Sequence, residues 1–127
     1  MKTNKLIIRI KRPVTDVFLF TITPPNSTLW VKSIVKEETN EWPIRVDTIY
    51  KLQKKDGQIS EVTVANIKEN KLVEWVSLDK NYHCRYAFKS VGKNVTELEY
   101  YEWIDKGILE DPFTMGILKK LKLVLER

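Results

Sequence analysis

With one cysteine, one histidine and four glycines in 127 residues, several kinds of chemistry are excluded at the outset. Cys84 has no partner for an internal disulfide, and an isolated thiol fits a reducing compartment. His83 is the sole imidazole, and neighbouring positions on a strand point to opposite faces, so His83 and Cys84 cannot share a zinc shell and no metal is expected. No Gly-rich phosphate loop, nucleophile elbow or paired-carboxylate signature occurs, which argues against nucleotide chemistry, and no cofactor is expected. Long apolar runs are also missing. The stretch Leu6-Ile7-Ile8-Arg9-Ile10 is broken by Arg9 and is too short for a signal peptide or a membrane span. A cytoplasmic location without stable membrane insertion is therefore expected, and the glycosylation-type triplets at Asn26 and Asn94 read as chance matches.

The hydrophobic share is 43% and the charged share 31%, the balance of a globular chain rather than a disordered one. No repeat, low-complexity run or linker interrupts it, so residues 1–127 read as a single domain. A chain of this length buries roughly two-thirds of its unfolded surface and needs no staple. The formal net charge of +5 raises nucleic acid as a partner. Its distribution argues otherwise, because lysines alternate with acids and only Lys119, Lys120 and Lys122 cluster, as the solvated face of a helix.

Leu6, Ile8 and Ile10 alternate with Ile7 and Arg9, which predicts a strand ended by Arg12-Pro13. From Pro13 to about Ile22, Val14, Val17, Phe18 and Thr21 recur at helical spacing before Pro24-Pro25 breaks the segment. One further helical turn follows at Asn26-Ser27-Thr28, carrying Leu29 and Trp30. Between Ser33 and Ile104 the period becomes 2, with turns at Asp56-Gly57, Glu69-Asn70-Lys71, Asp79-Lys80-Asn81 and Gly92-Lys93-Asn94. These divide the stretch into about six strands joined by short connections, hence antiparallel. Asp111-Pro112 then predicts a long helix from Asp111 to Arg127, with Phe113, Ile117, Leu118, Leu121, Val124 and Leu125 in one stripe.

Alternation assigns faces. Tyr82, Cys84, Tyr86 and Phe88 turn inward, as do Thr96, Leu98, Tyr100 and Glu102, and a third such row is Ile44, Val46, Thr48, Tyr50 and Leu52. Cys84 is thus a buried hydrophobe rather than a nucleophile. Tyr101 and Trp103 fall outward, where they would form a partner or homodimer surface unless a twist turns Trp103 in.

A strand, two short helices, six antiparallel strands and a long C-terminal helix form the order of the helix-grip fold, an α+β class. The chain resembles the SRPBCC superfamily, the START-like or Bet v 1-like proteins. The likeness is carried by Ile8-x-Ile10-x-Arg12-Pro13-Val14-x-x-Val17-Phe18, Trp30, Val46-x-Thr48-x-Tyr50, Arg85-Tyr86-x-Phe88 and Thr96-x-Leu98-x-Tyr100-x-Glu102. Members often carry Gly-Thr or Gly-Ser in the third strand, whereas this chain has Asp47-Thr48, so the tight backbone that glycine serves is not implied here. The resemblance implies a hollow between sheet and C-terminal helix that takes a small hydrophobic molecule.

The expected ligand-binding residues are Tyr50, Tyr86, Phe88, Leu98, Tyr100 and Glu102, with Ile117 and Leu121 as the helix wall. Three functions stay open: a small-ligand binding or transport protein, a cyclase- or dehydratase-type enzyme using Glu102 and Tyr100, and an interaction domain with a packed core. For Glu102 the alternatives are a desolvated acid or base and a strand-end carboxylate paired with a cation. For the tyrosines they are a cavity lining and plain core.

Overall fold

In the computed structural model, which describes residues 1–127, the first strand, β1 (Thr3–Ile10), alternates between exposed and covered positions and buries Ile10 completely. Helix α1 (Val14–Ile22) follows, with Pro13 just ahead of it, and buries Val17, Phe18, Thr21 and Ile22. It stops where Pro24 and Pro25 withhold the amides a further turn needs. A 3₁₀ turn (Asn26–Leu29) then leads to β2 (Ile34–Thr39). The meander continues through β3 (Ile49–Lys54), β4 (Ile59–Lys68), β5 (Leu72–Ser77), β6 (Tyr82–Gly92) and β7 (Val95–Ile104).

All strand pairs are antiparallel, in one seven-stranded sheet of order β1-β7-β6-β5-β4-β3-β2. The first two strands of the sequence thus sit at opposite edges. The segment between them must cross the full width of the sheet, which lays α1 over β6 and β7 and the 3₁₀ turn beside β2. Register shifts at Ile34/Lys36, Val64/Asn66 and Ser90/Gly92 add local twist and bend, so the sheet curls around what crosses it. The hairpin turns lie where expected: Gly57, Asn70, Lys80 and Asn94 all take positive φ.

Two expectations need correction. Residues 44–48 are not a strand, and Val46 is exposed rather than inward. Asp47 there has a φ of 76°, the left-handed conformation that favours glycine; a short polar side chain tolerates it better than most. Its amide donates to Val64 O at 2.8 Å, and the next amide to Arg45 O at 3.0 Å, so the tight approach is made without glycine.

The C-terminal helix is also shorter than predicted: α2 spans Met115–Leu125 rather than Asp111–Arg127. Asp111 sits at a φ of 51°, and Phe113 is held out of the helix by side chains from elsewhere. The Phe113 amide donates to Glu102 Oε2 at 2.8 Å, and its carbonyl accepts from Asn4 Nδ2 at 2.9 Å. Both backbone groups are satisfied by β1 and β7, so tertiary contacts override the Asp-Pro start signal. Within α2, Leu118, Leu121 and Leu125 are buried and the helix packs on β1.

Candidate functional site

The inward rows of β6 and β7 carry the aromatic residues that the alternation predicts. Trp75 of β5 packs edge-to-face on Tyr50 (5.4 Å between centroids) and on Tyr86 (5.3 Å), and Tyr86 does the same with Tyr100 (5.2 Å). Each such pair is worth about 0.5–1.5 kcal/mol beyond the area it buries. Bulky rings meeting edge-on do not fill the curl of the sheet. A cavity of about 150 Å³ remains, bordered by Tyr50, Trp75, Tyr82, Tyr86, Tyr100 and Phe113. Only Thr21, Ser27 and Glu37 in its lining are neither apolar nor aromatic, and no lysine, arginine or histidine reaches it.

Three expected residues, Tyr50, Tyr86 and Tyr100, line this space. The others do not. Phe88 and Leu98 are buried in the core beyond it, with Phe88 edge-on to Phe18 at 5.2 Å. Ile117 and Leu121 border no part of the cavity, because α2 lies over β1 at the sheet edge; the wall expected from the helix is made by Phe113, just ahead of it. That ring stacks on Tyr100 at 4.4 Å and meets Trp30 edge-on at 5.9 Å.

Glu102 points inward as the period requires and is 3% exposed, but it pairs with no cation and does not border the cavity. Its carboxyl accepts from Tyr82 OH (2.8 Å), Asn4 Nδ2 (2.9 Å) and the Phe113 amide (2.8 Å). Three donors from β1, β6 and the segment before α2 converge on one group. That arrangement holds the C-terminal segment in place and leaves little acceptor capacity for a reacting proton.

The phenols differ in how committed they are. Tyr50 donates to Ile22 O at 2.6 Å, tying β3 to the end of α1, and Tyr82 is taken up by Glu102. The Tyr86 hydroxyl has no protein partner within hydrogen-bond distance. Burial pushes all of the tyrosines bordering the cavity above their ordinary pKa, and lifts the Cys84 thiol to about 12, so these groups stay neutral.

Sequence reasoning missed Glu37. Although it sits in the charged run Lys36-Glu37-Glu38, it is 7% exposed and borders the cavity. It makes no well-formed hydrogen bond. Burial pushes its pKa to about 7, and the nearby Ser27 hydroxyl lowers it only in part.

On the convex side, Tyr101 and Trp103 do face outward, but they do not form a bare patch. His83 stacks on Trp103 at 4.7 Å, and the Arg85 guanidinium lies 5.3 Å from the Tyr101 ring centre. A separate surface groove of about 560 Å³ runs between α1 and Trp42, Pro43 and Ile44. Half-exposed Leu19 and Trp42 border it, and it shares no lining residue with the aromatic cavity.

No family model matches the chain, and no curated protein does. Solved structures do. A START superfamily protein from Mycobacterium smegmatis superposes with a TM-score of 0.76 at 12% identity, covering 99% of this chain and 98% of the other. The Aha1 dimer from Colwellia psychrerythraea gives 0.71 at 17% identity, covering 99% and 97%. A polyketide-cyclase-like protein from Corynebacterium glutamicum gives 0.60 at 16% identity over 80% and 64%. At such identities the likeness concerns the fold, and the curled seven-stranded antiparallel sheet with its two helices is that of the START-like, SRPBCC proteins.

Proposed function

We propose that residues 1–127 act as one START-like domain that binds a small, largely apolar molecule between the sheet and its crossing segments. The supporting observation is the aromatic cavity itself, left open beside a continuous hydrophobic core. Its size narrows the guest. Drug-sized ligands occupy roughly 300–1,000 Å³, whereas an apolar space of about 150 Å³ accepts a molecule the size of benzene. A sterol or long acyl chain does not fit; a single ring or a short branched chain does.

The cyclase or dehydratase reading has weaker support, because Glu102 is committed to three donors and Tyr100 has no free base beside it. A homodimer or partner through Tyr101 and Trp103 is likewise less favoured, since Arg85 and His83 already cap those rings. No helix is long and apolar enough to cross a membrane, and we place the protein in the cytoplasm on the unpaired cysteine.

Incubation with a cell metabolite extract, followed by native mass spectrometry, tests the binding reading. A retained compound below the size of a bicyclic ring system is the expected result. Failure to retain any compound, together with no NMR response to a panel of monocyclic molecules, would overturn it.

A further inference from the structure

The cavity provides negative charge and aromatic surface but no positive charge. Glu37 enters it from β2, more than nine-tenths buried and without a well-formed hydrogen bond. Of the hydroxyls around it, Ser27 of the 3₁₀ turn favours its charged form, while Thr21 of α1 donates to Phe18 O at 2.9 Å and Tyr50 of β3 donates to Ile22 O. The other titratable groups on the lining are Tyr82, Cys84 and Tyr86 of β6 and Tyr100 of β7, all kept neutral by burial. Tyr50 and Tyr86 border the same cavity as Glu37. No lysine, arginine or histidine borders the cavity to pair with it.

A buried carboxylate is costly unless paired, and aromatic faces attract cations. A neutral apolar guest satisfies the rings and leaves the carboxylate unpaired; an anionic one adds repulsion. We propose that the cavity is a site for a small organic cation, an alkylammonium compound of about the size of benzene, whose charge pairs with Glu37 while its hydrocarbon packs against Tyr50, Trp75 and Tyr86. This rests on reading the cavity as a ligand site and adds the charge of the guest. The chain's net charge of +5 slows capture from a distance, but it is screened over about 8 Å at physiological ionic strength. Affinity is set inside the cavity.

The test uses a pair matched in shape, tert-butylammonium and tert-butanol, titrated into the full chain and followed by NMR at the Trp75 and Tyr86 side chains. Each unit by which the bound ammonium lowers the Glu37 pKa is a tenfold gain in affinity once that carboxyl is ionised. The cation is therefore expected to bind about tenfold more tightly than the alcohol at pH 8, and to lose most of that preference at pH 5.5. Glu37→Gln should lose the preference for the cation and favour the alcohol, because an unpaired ammonium is costly in an apolar cavity. Should that variant not fold, the Glu37 carboxyl resonance of the unmodified chain carries the same information, because its titration must move to lower pH with the ammonium bound and not with the alcohol. Equal binding of both probes by the unmodified chain, or its preference for the alcohol, overturns the proposal while leaving the cavity as a ligand site. Binding of neither also overturns the proposal, and the binding reading then stands or falls on the panel of monocyclic molecules.

Discussion

Glu102 and Glu37 are both buried against the sheet, at 3% and 7% exposure, yet the first accepts three hydrogen bonds and the second has no well-formed one. The difference follows from what each end of the sheet has nearby. At the β1–β7 edge, a side-chain amide, a phenol and a backbone amide converge from three segments. At the β2 end, the neighbours are rings, aliphatic groups and hydroxyls largely used elsewhere. One carboxyl is part of the framework, and the other is held at a cost in stability that something outside the chain can relieve.

Removing Glu102 should have the largest effect. Glu102→Ala leaves the Phe113 amide unpaired, takes the nearer acceptor from Tyr82 OH and removes one of the two acceptors of Asn4 Nδ2, for an expected loss of about 3 kcal/mol by urea denaturation. If the loss is below 1 kcal/mol, the contrast between the two carboxyls fails.

Glu37→Gln should act in the opposite direction, and only at high pH. Below about pH 4.5 the folded and unfolded chains both hold the proton, so the substitution changes little. Between 4.5 and about 7 the unfolded chain releases its proton first, and the stability of the unmodified protein falls as pH rises. Above 7 the full penalty is present, and the variant is expected to be the more stable by about 3 kcal/mol. Equal stability of the two proteins at pH 8 would show that Glu37 is solvated or paired.

Smaller changes sharpen the comparison. Tyr82→Phe removes one donor from Glu102 and is expected to cost about 1–2 kcal/mol at neutral pH by thermal or chemical denaturation. Ser27→Ala removes the hydroxyl that favours the charged form of Glu37, so the carboxyl should titrate at still higher pH by NMR, with a matching loss of stability at pH 8 and little change below about pH 4.5.

The inward direction of Glu102 was legible because β7 keeps an unbroken period of 2 from Thr96 onward. Its partners were not legible, since Asn4 lies 98 residues away and Phe113 11 residues away along the chain. The same two contacts hid the true start of α2, where local capping signals compete with a tertiary lock. Glu37 was hidden for a different reason. The register shift between Ile34 and Lys36 breaks the alternation of β2, and a buried acid in Lys-Glu-Glu reads as one more solvated charge. The aromatic rows, by contrast, follow from periodicity alone, which is why three of the cavity tyrosines were identified and the wall opposite them was not.

Phe113 is both a wall of the cavity and the residue whose amide and carbonyl fasten the segment before α2. A guest that presses on that ring can move it only if those two backbone bonds loosen. On that side of the cavity the limit on guest size is therefore set by local unfolding as well as by wall shape. It becomes measurable as amide hydrogen exchange at Phe113, slowed by a molecule that fits and quickened by one that does not.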